Sequence, residues 1–216
     1  MRTFTTILTL AILVAVIGTA SAQTNNAENF VIARVGLRNG MTYSLIEGFQ
    51  QRGKAIYPDC GAITFNQPGL YREVFCGAGA MLLNSKHLTV IEEGYIDQAT
   101  GPQSGGATYF QPWTFVGYRL TKKVGGETVY FPYIPLNKAA RIQHVLERAT
   151  MEYDLGKHFK AGGGYGAYKF GDGGWDNKPF LTTTVKAGKL GNFEFWLQRV
   201  PGNHAMAQIR YAKSWK

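Results

Sequence analysis

Seven charged residues in the last third of the chain fall on one face of its predicted strands. They are Arg148, Glu152, Asp154, Lys160, Lys186, Glu194 and Arg210. Acidic and basic side chains that share a face of neighbouring strands pair across those strands. Inside a barrel, such residues either select solutes at a charged constriction or form salt bridges that fill the interior. We therefore expect these seven side chains to line a lumen, and the sequence leaves both outcomes open.

Histidines are the other candidates for chemistry. His87 and His158 lie beside predicted turns, where they are solvated, whereas His144 and His204 fall toward the opposite rim on the face assigned to the lumen. Catalysis needs a nucleophile or activated water, a base and an orienting group. Membrane-embedded lipid A-modifying enzymes use histidine with serine and an acidic residue, but no spaced His-x-Ser element occurs here. An enzyme is therefore the less favoured alternative.

Metal and cofactor motifs do not stand out. Glu92-Glu93 is better explained as charge at a strand end than as part of a metal site, since no cluster with ligand spacing surrounds it. The Gly162–Gly164 run lacks the strand-to-helix context and the following Lys-Ser/Thr of a phosphate loop. We predict no metal and no cofactor.

The N-terminus has the pattern of an export signal. Arg2 precedes an apolar stretch over Phe4–Ile17, and Ala20-Ser21-Ala22 fits small-residue cleavage. We interpret residues 1–22 as a secretory signal peptide, with a retained helical anchor as the alternative. No long apolar stretch follows, so any membrane insertion must use strands. Cys60 and Cys76 would then meet an oxidising compartment, which favours a disulfide tying a long loop to the next strand.

Composition supports a strand-built membrane protein. Glycine accounts for 27 of 216 residues and aromatic residues for 13%, as suits curved strands and interfacial aromatic girdles. The formal net charge is +9, but export and the scattered basic residues argue against nucleic acid. Lipopolysaccharide phosphates, or anions in a lumen, are the more natural partners.

A period of two indicates the elements that carry these residues. Between His158 and Phe170, and again in His204–Trp215, apolar or small residues alternate with polar ones over a length that crosses a bilayer at a tilt. Short turns alternate with longer loops, which we assign to the periplasmic and external sides. The pattern predicts an all-β, antiparallel up-and-down transmembrane barrel over residues 41–216, with ten strands. The ten are Met41–Phe49, Tyr71–Leu83, His87–Ile96, Thr108–Leu120, Glu127–Pro135, Gln143–Asp154, Phe159–Phe170, Phe180–Ala187, Phe193–Val200 and His204–Trp215.

Some features leave alternatives open. Residues 23–40 are either an N-terminal extension or an extra strand in a twelve-strand barrel with one strand unrecognised. Residues 138–151 have helical spacing as well, although we prefer a strand from about Gln143. On that strand Val145, Ala149, Met151 and Tyr153 face outward, and Glu147 falls on the outer face. Pro112 interrupts another proposed strand.

Two parts of the chain resemble the strand–turn–strand units of small bacterial outer-membrane β-barrels, the porin-like or OmpA-like class. One is the segment from Tyr153 to Phe159 with the following Gly162–Tyr165, and the other is the C-terminal Gln208–Tyr211 with Trp215. The resemblance implies insertion by the outer-membrane assembly machinery. We expect an outer-membrane barrel that is structural or a narrow channel for small solutes, with His144, Trp175 and His204 at its external rim. The alternatives are a lipid A-modifying barrel enzyme and a soluble periplasmic barrel that binds a small apolar ligand, with its apolar face inward.

Overall fold

The structure is a computed structural model that describes residues 27–38, 41–66, 71–101, 104–200 and 204–216. The predicted signal peptide, residues 1–22, lies outside this part of the chain. Within the described ranges, no helix has the length and apolar character that a membrane crossing requires.

In the described part of the chain, twelve antiparallel strands form a closed barrel in which each strand pairs with its neighbours in sequence and β1 pairs with β12. The strands are β1 (Ala27–Arg38), β2 (Met41–Arg52), β3 (Ala55–Phe65), β4 (Tyr71–Asn84), β5 (Leu88–Thr100), β6 (Thr108–Arg119), β7 (Val124–Pro135), β8 (Gln143–Asp154), β9 (Phe159–Phe170), β10 (Asp176–Lys186), β11 (Asn192–Val200) and β12 (His204–Trp215). The predicted all-β, up-and-down barrel is confirmed. The count of ten was wrong and the twelve-strand alternative is correct.

The two strands absent from the ten-strand count are β1 and β3. Residues 23–40, expected as an N-terminal extension or an extra strand, contain β1, and the segment around Cys60, expected as a long loop, forms β3. The β3–β4 register shifts between Ile56 and Asp59, which places the extra residues in a bulge. Cys60 lies directly opposite Cys76 on β4, and a disulfide joins them. The predicted disulfide is therefore confirmed, but it links two neighbouring strands and not a loop to a strand.

The connections differ in length at the two ends of the barrel. At one end, called the turn end here, the strands are joined through residues 53–54, 85–87, 120–123, 155–158 and 187–191. At the other, the loop end, the longer connections are residues 66–70, 101–107, 136–142 and 171–175, beside the short 39–40 and 201–203. The predicted difference between short turns at one end and longer loops at the other is present, but it is modest because two loop-end connections are also short.

The two faces of the wall have opposite chemistry. On β10, Leu181 is 67% exposed on the outside, whereas its neighbour Thr182 is 3% exposed and faces the interior. Leu197 and Ile209 are likewise exposed outward, while Gln208 is buried. A soluble barrel that binds an apolar ligand requires the reverse arrangement. The apolar belt therefore suits contact with lipid.

Two prolines face each other in the wall. The β6–β7 pairing has the same register at Tyr109–Phe110 and at Thr114–Arg119, on either side of an unpaired stretch, and this register sets Pro112 opposite Pro132. Neither proline has an N–H to donate to the ladder. Because the two missing donors coincide, a single interruption of the ladder accommodates Pro112, which interrupts a strand predicted from the sequence, together with Pro132.

Candidate functional site

A ladder of polar side chains runs along the inner face of six neighbouring strands, from β8 to β1. In order of pairing it consists of Asp154, Lys160, Thr184, Glu194, Arg210 and Arg34. Each residue lies directly opposite the next across a strand pair, where side chains of one face meet. Four of the seven charged residues singled out from the sequence belong to this ladder.

Ion pairs tie the ladder to the residues beside it. Near the turn end, the Asp154 carboxylate accepts from Lys186 at 2.8 Å and from Arg119 at 3.1 Å. Lys160 lies 3.7 Å from Glu152. These groups are partly exposed, so solvent weakens their attraction.

Farther along the wall the ladder is more deeply buried. The Arg210 guanidinium donates to Glu194 at 3.1 Å, and the hydroxyl groups of Thr182 and Thr184 donate to Glu194 and Glu152 respectively. Six of the seven charged residues singled out from the sequence take part in these contacts.

A bulge in β8 sends two consecutive charged residues inward. Between Leu146 and Ala149 the strand has one residue more than its partner β9, and the pairing with β7 shifts at the same place. A bulge of this kind disrupts the alternation of faces. Glu147 and Arg148 therefore both reach the interior, where they pair with each other. The expectation that Glu147 lies on the outer face was wrong.

Because of the same bulge, the predicted orientations of two further side chains, Val145 and His144, were wrong. Val145 was expected to face outward, but it packs inside against the buried cluster that contains Phe131. The alternation that puts Arg148 on the inner face also predicts His144 on that face. Because of the extra residue, the His144 ring instead lies beside Tyr130 and Trp175.

A chain of ion pairs crosses the lumen at the bulge. Arg34 on β1 contacts Glu147 at 2.5 Å, Glu147 also contacts Arg148, and Arg148 contacts Glu127 on β7. We call these four residues the cross-lumen chain. β1 and β8 are separated by five strand pairs in a ring of twelve, so they lie almost opposite each other. The Arg34 and Glu147 side chains are only 7% and 14% exposed.

Like charges explain why Arg34 reaches across. Arg34 is paired directly with Arg210 on β12, and like charges in that position repel. Glu194 already binds Arg210. Glu147 supplies the carboxylate that Arg34 needs, and the Trp196 ring lies 4.9 Å from the Arg34 guanidinium carbon.

The bridge also defines the shape of the barrel. A circular barrel of twelve strands with usual spacing and tilt is about 24 Å across between opposite backbones. An arginine and a glutamate together cannot span that width. The section is therefore flattened between β1 and β8, where the Arg34–Glu147 bridge crosses the lumen.

A second group of carboxylates lies on β3, β4 and β5, and the groups that donate to it are tyrosine hydroxyls and a glutamine amide. Glu73 accepts from Tyr71 at 2.8 Å and from Tyr133 at 3.0 Å, while Asp59 accepts from Tyr95 at 2.9 Å. Asp97 accepts from Gln111, which also donates to Glu73. None of these three carboxylates forms an ion pair within the described residues. Sequence reasoning missed this group, although Tyr95 and Asp97 share a face at the spacing of two that a strand requires.

Aromatic rings fill part of the lumen beside these carboxylates. The Trp113 and Phe131 rings stack with centroids 3.9 Å apart, and Tyr95 packs edge-on against Trp113. Near the turn end, a cavity of about 180 Å³ remains. Both basic and acidic side chains line it, including Arg119, Glu152 and Lys160. The interior is therefore polar and partly filled, with open space toward the turn end.

The predicted rim residues lie at the loop end. The Tyr130 hydroxyl lies 2.9 Å from His144 Nδ1, and Trp175, half exposed, lies next to the same histidine. His204 begins β12, and its side chain lies outside the described part. His87 and His158 lie at the turn end, where each contacts a backbone carbonyl. The structure thus groups His144 with aromatic residues at the loop-end rim.

Comparison with known proteins identifies the architecture. No family model and no curated protein matches the chain. Among solved structures, it is similar to the KdgM porin in complex with disordered oligogalacturonate, at 8% identity and a TM-score of 0.59, covering 87% of this chain and 98% of that one. It is also similar to the NanC porin, at 12% identity and a TM-score of 0.60, covering 86% and 99%. The chain has a porin fold.

These similarities concern the fold, because so few residues are identical. The same closed barrel accounts for the apolar belt, the β1–β12 closure and the polar interior described above. The porin fold by itself does not specify a solute. Any specificity must come from the side chains of this lumen.

Proposed function

We propose that the protein is an outer-membrane barrel that forms a narrow channel for small polar solutes, with the cross-lumen chain as its constriction. The observation that supports this most strongly is the Arg34–Glu147 bridge, which joins opposite walls of a barrel that is apolar outside and charged inside. Charged side chains at the narrowest point discriminate between solutes by charge and size. A porin of the same fold was solved in complex with disordered oligogalacturonate, which supports a role in the passage of solutes.

The proposal includes the surroundings of the barrel. Its apolar belt would contact outer-membrane lipid and lipopolysaccharide, after export by the predicted signal peptide and insertion by the outer-membrane assembly machinery. The loop end would face outward and the turn end, with the C-terminal Trp215, would face the periplasm. Protease or labelling reagents added to intact cells should therefore reach Trp175 before they reach Leu190.

Conductance tests the channel. Purified protein reconstituted in a planar lipid bilayer should give small, discrete current steps in KCl, and liposomes containing it should take up small sugars. A barrel that inserts and is folded, yet carries no current and admits no sugar, would instead have a structural role.

A further inference from the structure

A groove lies on the outer face of the barrel near the loop end. It holds a cavity of about 400 Å³ across β10, β11 and β12, and its lining includes Pro179, Leu181, Leu197, Arg199 and Ala205. Leu181 and Leu197 are direct cross-strand partners, and they are 67% and 56% exposed. Ala205 lies opposite Arg199, and its short side chain leaves the depression open. The groove is therefore apolar, with a cation at its loop-end side.

An apolar strip continues from the groove toward the turn end. Along the outer face of β11, Leu197 is followed by the exposed Phe195 and then by Phe193. Arg199 and Phe193 are six residues apart in this strand, which is about 20 Å along the strand and about 15 Å along the membrane normal at the usual tilt. Half of the hydrocarbon core of a bilayer is about 15 Å thick. The strip therefore has the depth of one leaflet, and the arginine lies at its loop-end edge.

Polar groups beside the groove mark where the apolar belt ends. On the outer face, the Tyr165 hydroxyl of β9 donates to the side-chain oxygen of Asn177 on β10. Asn177 shares this face with Pro179 of the groove and lies nearer the loop end. Tyrosine is typical of the boundary between the hydrocarbon core and the headgroups. Arg199 therefore lies near the depth of lipid phosphates, where an arginine on the outer face costs little.

The groove and its arginine favour a phosphorylated lipid over a second copy of this chain. A guanidinium binds a phosphate through two parallel hydrogen bonds, and the apolar strip matches an acyl chain that runs from that phosphate into the leaflet. A two-fold contact through the same patch would bring two copies of Arg199 close together at the same depth. Like charges in that position repel each other.

We propose that this groove is a binding site for a phosphorylated, acylated lipid of the outer leaflet, with an acyl chain against Leu181 and Leu197 and a phosphate on Arg199. The inference rests on the outer-membrane location and the outward-facing loop end of the proposed function. It goes beyond general contact between the apolar belt and lipid, because it assigns one position on the wall where a lipid molecule stays bound.

Native mass spectrometry of the full-length barrel, refolded in detergent, counts the lipid molecules that stay bound. The probe is lipid A, the phosphorylated and acylated part of lipopolysaccharide, and the comparison is the same lipid after removal of its phosphates. The unaltered barrel should retain a single lipid A molecule. It should bind the dephosphorylated lipid about tenfold more weakly, because hydrogen bonds to a charged group are lost.

Two variants separate the phosphate from the acyl chain. Arg199→Gln should weaken the binding of lipid A about tenfold and leave that of the dephosphorylated lipid unchanged. Ala205→Phe fills the groove and keeps the arginine, so it should weaken the binding of both lipids. The matched controls are Lys189→Gln, which removes a cation at the turn end, and Ala78→Phe, which adds a ring at an exposed position of β4. Both controls should bind lipid A as the unaltered barrel does, and the mobility of unheated samples on a gel shows whether each variant is folded.

Equal retention of lipid A with and without its phosphates would overturn the site, as would unaltered binding of lipid A to Ala205→Phe. Equal losses in a variant and its control would show that lipid binding is not confined to the groove, and would also overturn it. A dimer that Ala205→Phe dissociates would assign the groove to a second copy of the chain instead.

The lipid site and the channel fail separately, because mass spectrometry in detergent does not depend on conductance. A barrel that conducts in a planar bilayer but retains no lipid A rejects the site and keeps the channel. A barrel that retains lipid A without conducting rejects the channel and keeps the site.

Discussion

The Arg34–Glu147 pair offers a direct test of the bridge across the lumen. The two charges are 2.5 Å apart and the side chains are 7% and 14% exposed, so solvent screens them little. Glu147→Gln leaves Arg34 buried beside Arg210 without its carboxylate. Arg34→Met leaves Glu147 with Arg148 still bound to it. The two single changes are therefore unequal, although they break the same contact.

The structure sets the expected magnitudes. Removing one partner of a buried ion pair costs about 3–5 kcal/mol of unfolding free energy. We expect about 3 kcal/mol for Glu147→Gln, because stacking on Trp196 retains part of the stabilisation of Arg34. Arg34→Met should cost only about 1–2 kcal/mol, since it also relieves the repulsion from Arg210. The double variant leaves no unpaired charge, so it should be more stable than the sum of the two by about 2 kcal/mol.

Urea unfolding in lipid vesicles, followed by tryptophan emission, measures this coupling, and single-channel recording gives the conductance of each variant. All three variants should conduct more than the unaltered protein because each lacks the bridge. The control is the pair of Lys178 and Asp176, 4.0 Å apart and 29% and 38% exposed, whose coupling should stay below about 0.5 kcal/mol. The bridge would be refuted if the losses of unfolding free energy in the two single variants added up to the loss in the double variant, and if conductance stayed unchanged.

Three further predictions concern the wall. Leu181→Arg should lower the unfolding free energy in vesicles by about 2–4 kcal/mol, because Leu181 is 67% exposed on the proposed lipid face. Replacing Cys60 and Cys76 by alanine should cost about 3 kcal/mol, since the disulfide closes a loop with a sequence separation of 16; the variant should still fold, with a lower urea midpoint. Gly162→Ala should cost about 1–3 kcal/mol, because the new methyl group overlaps the carbonyl oxygen of Met151 on the neighbouring strand.

Each change has a matched control. Leu190 is 68% exposed in a turn, so Leu190→Arg should leave stability unchanged, and equal effects at the two leucines would contradict the lipid-facing assignment. Reducing agent should lower the urea midpoint of the unaltered protein and not that of the cysteine-free variant. Gly174 has open space where a methyl group would lie, so Gly174→Ala should be neutral, and a neutral Gly162→Ala would argue against close packing of β8 on β9.

Much of the architecture follows from alternation in the sequence. Strands such as β9 and β12 alternate regularly, and the side of the wall on which Lys160 or Arg210 lies follows from a period of two. The boundaries of β8 also agree, since the structure starts that strand at Gln143 and excludes the helical alternative for 138–151. Alternation in the sequence predicts which side of the wall a residue lies on wherever the strand contains no bulge.

The bulge in β8 explains most of what the sequence could not show. One extra residue reverses the alternation, so His144, Val145 and Glu147 all lie on the side opposite to the one expected. Nothing in the local composition marks the insertion, because the bulge depends on pairing with β7 and β9. Arg34 was missed for a different reason. Its strand is not among the ten predicted, and its partner Glu147 is distant in sequence and lies across the barrel.

The central claim is that this porin fold spans an outer membrane, and fractionation combined with heat modifiability tests it most directly. Cells are separated into soluble, inner-membrane and outer-membrane fractions, and each is run unheated and boiled on a denaturing gel. We predict a band in the outer membrane whose mobility shifts on boiling, because a closed barrel resists unfolding by detergent until it is heated. A soluble periplasmic band with no shift would contradict the account.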